Sequence, residues 1–89
     1  MNNRKKHDLK IWKEFYKEVY SGTKTFEIRK NDRDFKVGDI LVLNEFDTEL
    51  GEQTGAWCTA EITYITDWQQ QEDFVVMGIN VFYRMLPAI

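Results

Sequence analysis

Between Lys24 and Arg33, seven of ten residues are ionisable or carry a side-chain amide: Lys24, Glu27, Arg29, Lys30, Asn31, Asp32 and Arg33. Only Phe26 and Ile28 are large and apolar there. The mixture suits recognition chemistry. An ionised Glu27 is acceptor-only, whereas Arg29 offers a planar fork of N–H donors. Side by side they can read the donor and acceptor edges of a base, or clamp a phosphate and a ribose hydroxyl. Lys24 and Arg33 add positive charge at the two ends, and Asn31 suits an amide-like base edge. Trp57, Tyr64 and Trp68 are candidates for a stacking wall, with core or rim packing as the plainer alternative. Catalysis would rest on Lys24 and Glu27 and asks more of them. A lysine nucleophile must be neutral, and a glutamate acting as general acid must be desolvated. The structural alternative is a Glu27–Arg29 pair that only fixes the strand and the loop after it.

These residues need a scaffold. Phe26 and Ile28 sit two apart, which is strand period, so the expectation is a strand over Lys24 to Lys30. Phe26 and Ile28 then face a core, and Thr25, Glu27 and Arg29 line the opposite face. Upstream, His7 to Trp12 alternates with Leu9 and Ile11 on one face, predicting a short first strand with His7 at its exposed end. Trp12, Phe15, Tyr16, Val19 and Tyr20 recur at helical spacing and predict an amphipathic helix of about two and a half turns. Gly22 stands where a left-handed residue would stop that helix, and it would also let a ligand approach the backbone. Downstream, Ile40 to Phe46 reads as a strand whose first four residues are buried on both faces. Asp47 to Gly55 reads as a long, mobile hairpin loop. Trp57 to Thr66 predicts a fourth strand with Cys58, Ala60, Ile62 and Tyr64 on one face. Phe74 to Tyr83 predicts a fifth, with Val75, Met77, Ile79 and Val81 inward and Gly78 marking a bend or a close backbone approach. One helix cannot cover both faces of five strands, so the sheet must close on itself. The fold class expected is α+β, mainly β: a small mixed β-barrel of about five strands with one early amphipathic helix.

Length and composition bound the rest. Eighty-nine residues make one domain, 1–89, with residues 1–6 and 85–89 expected as frayed tails. Hydrophobic content of 43% and charged content of 30% read as a soluble globular domain. Residues 1–36 carry +5 and residues 37–89 carry −8, so a local basic patch is available but a broad phosphate-binding surface is not. The single cysteine, Cys58, excludes an internal disulfide and a cysteine-rich metal site, and reads as a small buried residue in a reducing compartment. One histidine with scattered carboxylates is a poor metal site, so neither metal nor cofactor is expected. No apolar run follows Met1 to Lys6 as a leader would require, and the longest apolar run, Phe74 to Ile79, is too short to span a membrane.

Gly22-x-Lys24-x-x-Glu27-x-Arg29 resembles the G-x-K-x-x-E-x-R signature of ASCH domains, a branch of the PUA-like superfamily. The likeness extends over His7-x-Leu9-Lys10, the block Lys24 to Arg33, the Val37-Gly38-Asp39 turn and Thr54-Gly55, about His7 to Val81 in all. These features look like a short uncharacterised ASCH-like branch of phage and bacterial genomes. The resemblance implies a PUA-like β-barrel with a cleft beside the signature strand, and a role in binding RNA or a modified nucleobase. One ASCH branch deacetylates N4-acetylcytidine with a lysine, a threonine three residues later and a later glutamate. Lys24 matches that lysine; Glu27 stands at the threonine position, and Glu61 is the candidate for the later glutamate.

The function expected is recognition of RNA or a nucleobase-like ligand by Lys24, Glu27, Arg29, Asn31 and Arg33, in the cytoplasm. The alternatives are an amidohydrolase acting on an acylated nucleoside, with Lys24 and Glu27 as its machinery, and a small protein-interaction module using the acidic second half.

Overall fold

A computed structural model describes residues 4–85. The chain runs β1 (Lys6–Trp12), α1 (Lys13–Tyr20), β2 (Phe26–Lys30), β3 (Ile40–Asp47), β4 (Glu52–Thr66) and β5 (Phe74–Met85). The five strands form one mixed sheet in the order β1-β3-β4-β5-β2, with β1 parallel to β3 and the other pairs antiparallel. The sheet curls into a half-barrel. The expected mainly-β fold with one early helix is therefore present, but closure is incomplete: β1 and β2 are the two edges, and no strand ladder joins them.

The core lies in the concave side. Leu9 and Ile11 from β1, Leu41 and Leu43 from β3, Cys58, Ala60 and Ile62 from β4, and Val75, Met77 and Ile79 from β5 all point inward. Each large apolar side chain among them contributes roughly 1.5–3 kcal/mol by leaving water. The helix has only eight residues and no side-chain N-cap. A helix that short is marginal in isolation. It is held by burying Tyr16 and Val19 against the strands. Gly22 ends it as expected, at φ +85° with its N–H donating to the Val19 carbonyl at 3.1 Å.

Several boundaries move. Arg4, Lys5 and Lys6, expected in a tail, make contacts with the sheet: Lys6 opens β1, the Lys5 carbonyl accepts from Ile40 N–H at 2.9 Å, and Arg4 pairs with Glu61. At the other end Met85 belongs to β5, paired with Trp57. The remaining parts of the two expected tails, 1–3 and 86–89, lie outside the described residues. The 47–55 loop is a tight hairpin instead, because β4 begins at Glu52 opposite Asp47. The Asp47 carboxylate accepts the Glu49 and Leu50 N–H groups at 2.9 and 3.1 Å and so folds the turn locally. The start of β3 is fully buried on one face only, since Ile40 and Val42 are half-buried.

One irregularity reorients a whole stretch. A bulge between Ile62 and Tyr64 shifts β4 by one residue against β5. Tyr64, expected inward with Ile62, therefore points outward and is exposed, while Ile65 packs on the core. Gly78 lies opposite this bulge. A Cβ there would meet the Thr63 side-chain Oγ1 at a tight 3.1 Å, while the nearest backbone atom, Tyr64 N, lies at an ordinary 3.8 Å, so the glycine makes room for a side chain and not for a close backbone approach.

Candidate functional site

The seam between the two sheet edges is where the charged stretch goes. Register with β5 sets the direction of every β2 side chain. Glu27 pairs with Met77 and Arg29 with Val75, both inward positions, so Glu27 and Arg29 turn toward the interior. Phe26 and Ile28 turn outward and are exposed. This reverses the expected facing of the strand. Alternation was correct and its phase was not: a strand's two faces differ by a single residue of register. Burial of a carboxylate is tolerated because its charge is met on both sides. Glu27, 3% exposed, accepts from Lys24 Nζ through Oε1 at 2.8 Å and from Arg29 Nε through Oε2 at 2.9 Å.

The same cations have other attachments. Lys24 Nζ also donates to the Phe26 carbonyl at 2.8 Å and stands over the Phe26 and Phe15 rings, at 4.7 and 5.8 Å from their centroids. Lys24 is placed there by the chain leaving the helix, since its own N–H donates to the Glu18 carbonyl at 2.9 Å. Arg29 Nη2 reaches across the seam to the Lys10 carbonyl at 2.8 Å, and Arg33 Nη1 to the Asp8 carbonyl at 2.9 Å. Asp8 and Lys10 are two apart on β1, so the two arginines cap successive outward-directed carbonyls of an otherwise open strand edge. They replace the missing ladder with side-chain bonds.

A cavity of about 550 Å³ opens at this seam. Lys10, Ile11 and Trp12 line it from β1, Phe15 from α1, Lys24 and Phe26 to Arg29 from the β2 region, and Phe74 from β5. Trp12 and Phe15 stack on each other at 6.2 Å between centroids and 19° between planes. Both were expected on the core side of the helix. Trp12 instead ends β1, where alternation with the buried Ile11 turns it outward, and it is 53% exposed. That alternation was the available signal for an aromatic wall here. The residues expected to stack lie elsewhere: Trp57 packs against Tyr83 at 5.3 Å, and Tyr64 and Trp68 are exposed away from the cavity.

Of the five expected site residues, Lys24, Glu27 and Arg29 meet at the cavity and Asn31 and Arg33 do not. Asn31 Oδ1 accepts the Phe35 N–H at 3.0 Å, and its residue borders a separate polar depression with Gln70, Gln71 and Asp73. Arg33 lies at the seam, bonded to the Asp8 carbonyl, and does not line the cavity. Glu61 pairs with Arg4 at 2.6 Å and is not at the cavity, so it does not join Lys24 and Glu27.

A second buried charged site escaped the sequence reading. His7 is not at an exposed strand end; it is 6% exposed, edge-on to Phe35, with Nε2 donating to Asp39 Oδ2 at 2.8 Å. Asp39 also accepts the backbone N–H groups of Lys5 and Lys36 at 3.2 and 3.1 Å. Desolvation pushes its carboxyl up, but the His7 bond and the two backbone bonds outweigh it and hold the group below the usual value of 3.8. Parity with Leu9 and Ile11 already placed His7 on the inward face. Cys58 is the expected small core residue, and burial pushes its thiol up to about 11, which makes it a poor nucleophile. Among the described residues no cluster of three or more His, Cys, Asp or Glu side chains could hold a metal ion, and no helix is long and apolar enough to cross a membrane.

Comparison with known proteins agrees with the extent of this fold. A protein of Escherichia phage P2, described as "Uncharacterized 12.9 kDa protein in GpA 3'region", is 36% identical over 82 residues, which are 91% of this chain and 72% of that protein. Residues 6–79, from the first residue of β1 to the middle of β5, match the family described as Domain of unknown function (DUF3850), and the chain belongs to that family.

Proposed function

We propose that this domain binds RNA or a nucleobase-like ligand in the seam cavity, and that it does so in the cytoplasm. The observation that carries the reading is the co-location of aromatic faces and charged hydrogen-bonding groups on one cavity wall. Trp12, Phe15, Phe26 and Phe74 share it with Lys24, Glu27 and Arg29. Stacking on aromatic rings and donation from basic side chains are the two devices by which unpaired bases are held. The likeness of Gly22 to Arg29 to the ASCH signature of the PUA-like superfamily favours the same ligand class. Lys24→Ala and Arg29→Ala should each weaken RNA or nucleoside binding several-fold. A broad panel of RNAs and nucleosides that gives no binding to the wild-type protein would end this reading.

An amidohydrolase acting on an acylated nucleoside is the second reading, favoured by the placement of both Lys24 and Glu27 on the cavity wall, although their 2.8 Å ion pair does not supply the neutral lysine that a nucleophilic role requires. Incubation with N4-acetylcytidine decides it: turnover that disappears in Lys24→Ala supports it, and no turnover removes it.

A further inference from the structure

We infer that the ligand of the seam cavity is a nucleoside carrying a phosphate, bound through a surplus of cationic donors, and not a neutral base or nucleoside. This rests on the proposed cavity and specifies what enters it. The balance of hydrogen-bonding groups supplies the reason. A lysine ammonium has three N–H donors and an arginine guanidinium five. Lys24 uses two, to the Phe26 carbonyl and Glu27, and Arg29 uses two, to Glu27 and the Lys10 carbonyl. One N–H of Lys24 and three of Arg29 therefore remain for something else.

Acceptors at the wall are scarcer. Among the described residues Glu27 is the one carboxylate lining the cavity; both of its oxygens already accept a cation's N–H, and it is nearly fully buried. Two cations and one carboxylate leave a local charge of +1 before Lys10 is counted. Lys10 contributes its chain to the wall while its ammonium stands 4.7 Å from the Phe46 ring centroid. An incoming group must bring acceptors and negative charge, which a phosphate does and a neutral base edge does only in part. The apolar remainder of the cavity, from Trp12 and Phe15 to Phe26 and Phe74, asks for a flat ring beside that anion. Its volume of about 550 Å³ is at the scale of small-molecule sites, enough for one nucleotide unit.

The phosphate has two possible sources, a free mononucleotide or a link in a single strand, and calorimetric titration separates them. The probes are the four ribonucleoside 5′-monophosphates, their nucleosides, inorganic phosphate and short single-stranded RNAs, titrated into the full chain at low and raised salt. At least one phosphorylated probe should bind ten-fold or more tightly than its nucleoside and than inorganic phosphate, and its affinity should fall as salt rises. Lys24→Met should erase the advantage over the nucleoside, and Lys24→Arg should restore part of it. A preferred mononucleotide identifies a free ligand; a preference confined to the RNAs identifies a strand, and both support the inference. Nucleosides that bind as tightly as their monophosphates, or a phosphate advantage indifferent to salt, overturn it while leaving the base-binding reading intact. Inorganic phosphate binding as tightly as the nucleotides overturns the aromatic half. Silence from every probe overturns this inference and the proposed function together.

Discussion

Among the described residues of this small half-barrel two carboxylates are buried, and they are buried in different ways. Asp39 sits beside the first residues of β1, and its partners are a histidine ring and two backbone N–H groups. Those partners are short, fixed by the strand and the turn, and enclosed with it. Glu27 sits at the seam, and its partners are the tips of two long side chains that are each about a fifth exposed. Asp39 ends a network, whereas Glu27 holds two cations that line a cavity and keep N–H donors beyond those used within the protein. A buried carboxylate therefore has no single meaning. Whether its partners retain unused hydrogen-bonding capacity toward open space separates a structural site from a candidate recognition site.

That contrast can be broken experimentally, beginning with the largest effect. Asp39→Ala should destabilise the fold by about 3 kcal/mol in urea unfolding, because His7 and two backbone donors are left without their acceptor. The folded fraction should retain its cavity chemistry. Glu27→Gln should cost less, about 2 kcal/mol, since Lys24 and Arg29 can turn partly to water. It should nevertheless change the affinity for the cavity ligand, which Asp39→Ala should not. Equal stability losses with no change in binding would dissolve the distinction between the two sites.

Acid provides a smaller test. The Asp39 carboxyl is held below 3.8 in the fold, so its contribution is complete above that pH and is lost as pH falls through the lower folded value. The Asp47 carboxyl titrates in the same direction, chiefly through the Leu50 N–H bond. Urea midpoints should be level with respect to these groups above about pH 4 and decline below it. Asp39→Asn should flatten part of that decline; an unchanged slope would show that the His7–Asp39 bond does not govern it. The smallest effect should come from Arg33→Ala, about 0.5–1 kcal/mol, through loss of the bond to the Asp8 carbonyl. Faster amide exchange along β1 should accompany it if the arginines replace a strand ladder at the seam.

Much of the fold was legible in the chain because local rules govern it. Alternation at Leu9 and Ile11 located β1, and the same parity covered His7 once followed one step back. Gly22 had a local reason to stop the helix. Val75, Met77 and Ile79 declared the inward face of β5. The candidate site was only half legible. Lys24, Glu27 and Arg29 come together because Glu27 and Arg29 share one face of β2 and Lys24 lies three residues before Glu27 on the approach to that strand. Asn31 and Arg33 were drawn in by sequence proximity, although the loop after β2 turns them to other tasks. Trp12 and Phe15 were assigned to the core by helical spacing, which does not record where β1 ends.

The chain by itself determined the periods: which segments alternate, which one coils, and where glycine ends the coil. Those follow from backbone geometry and side-chain spacing within a few residues. Tertiary structure decided the phases. Pairing of Glu27 with Met77 turned the carboxylate inward and Phe26 outward, and the bulge opposite Gly78 turned Tyr64 to solvent. It also decided that the sheet remains open, with Arg29 and Arg33 spanning the gap. The physical reason is that a strand's two faces differ by a single residue of register, and register is a relation between strands far apart in sequence.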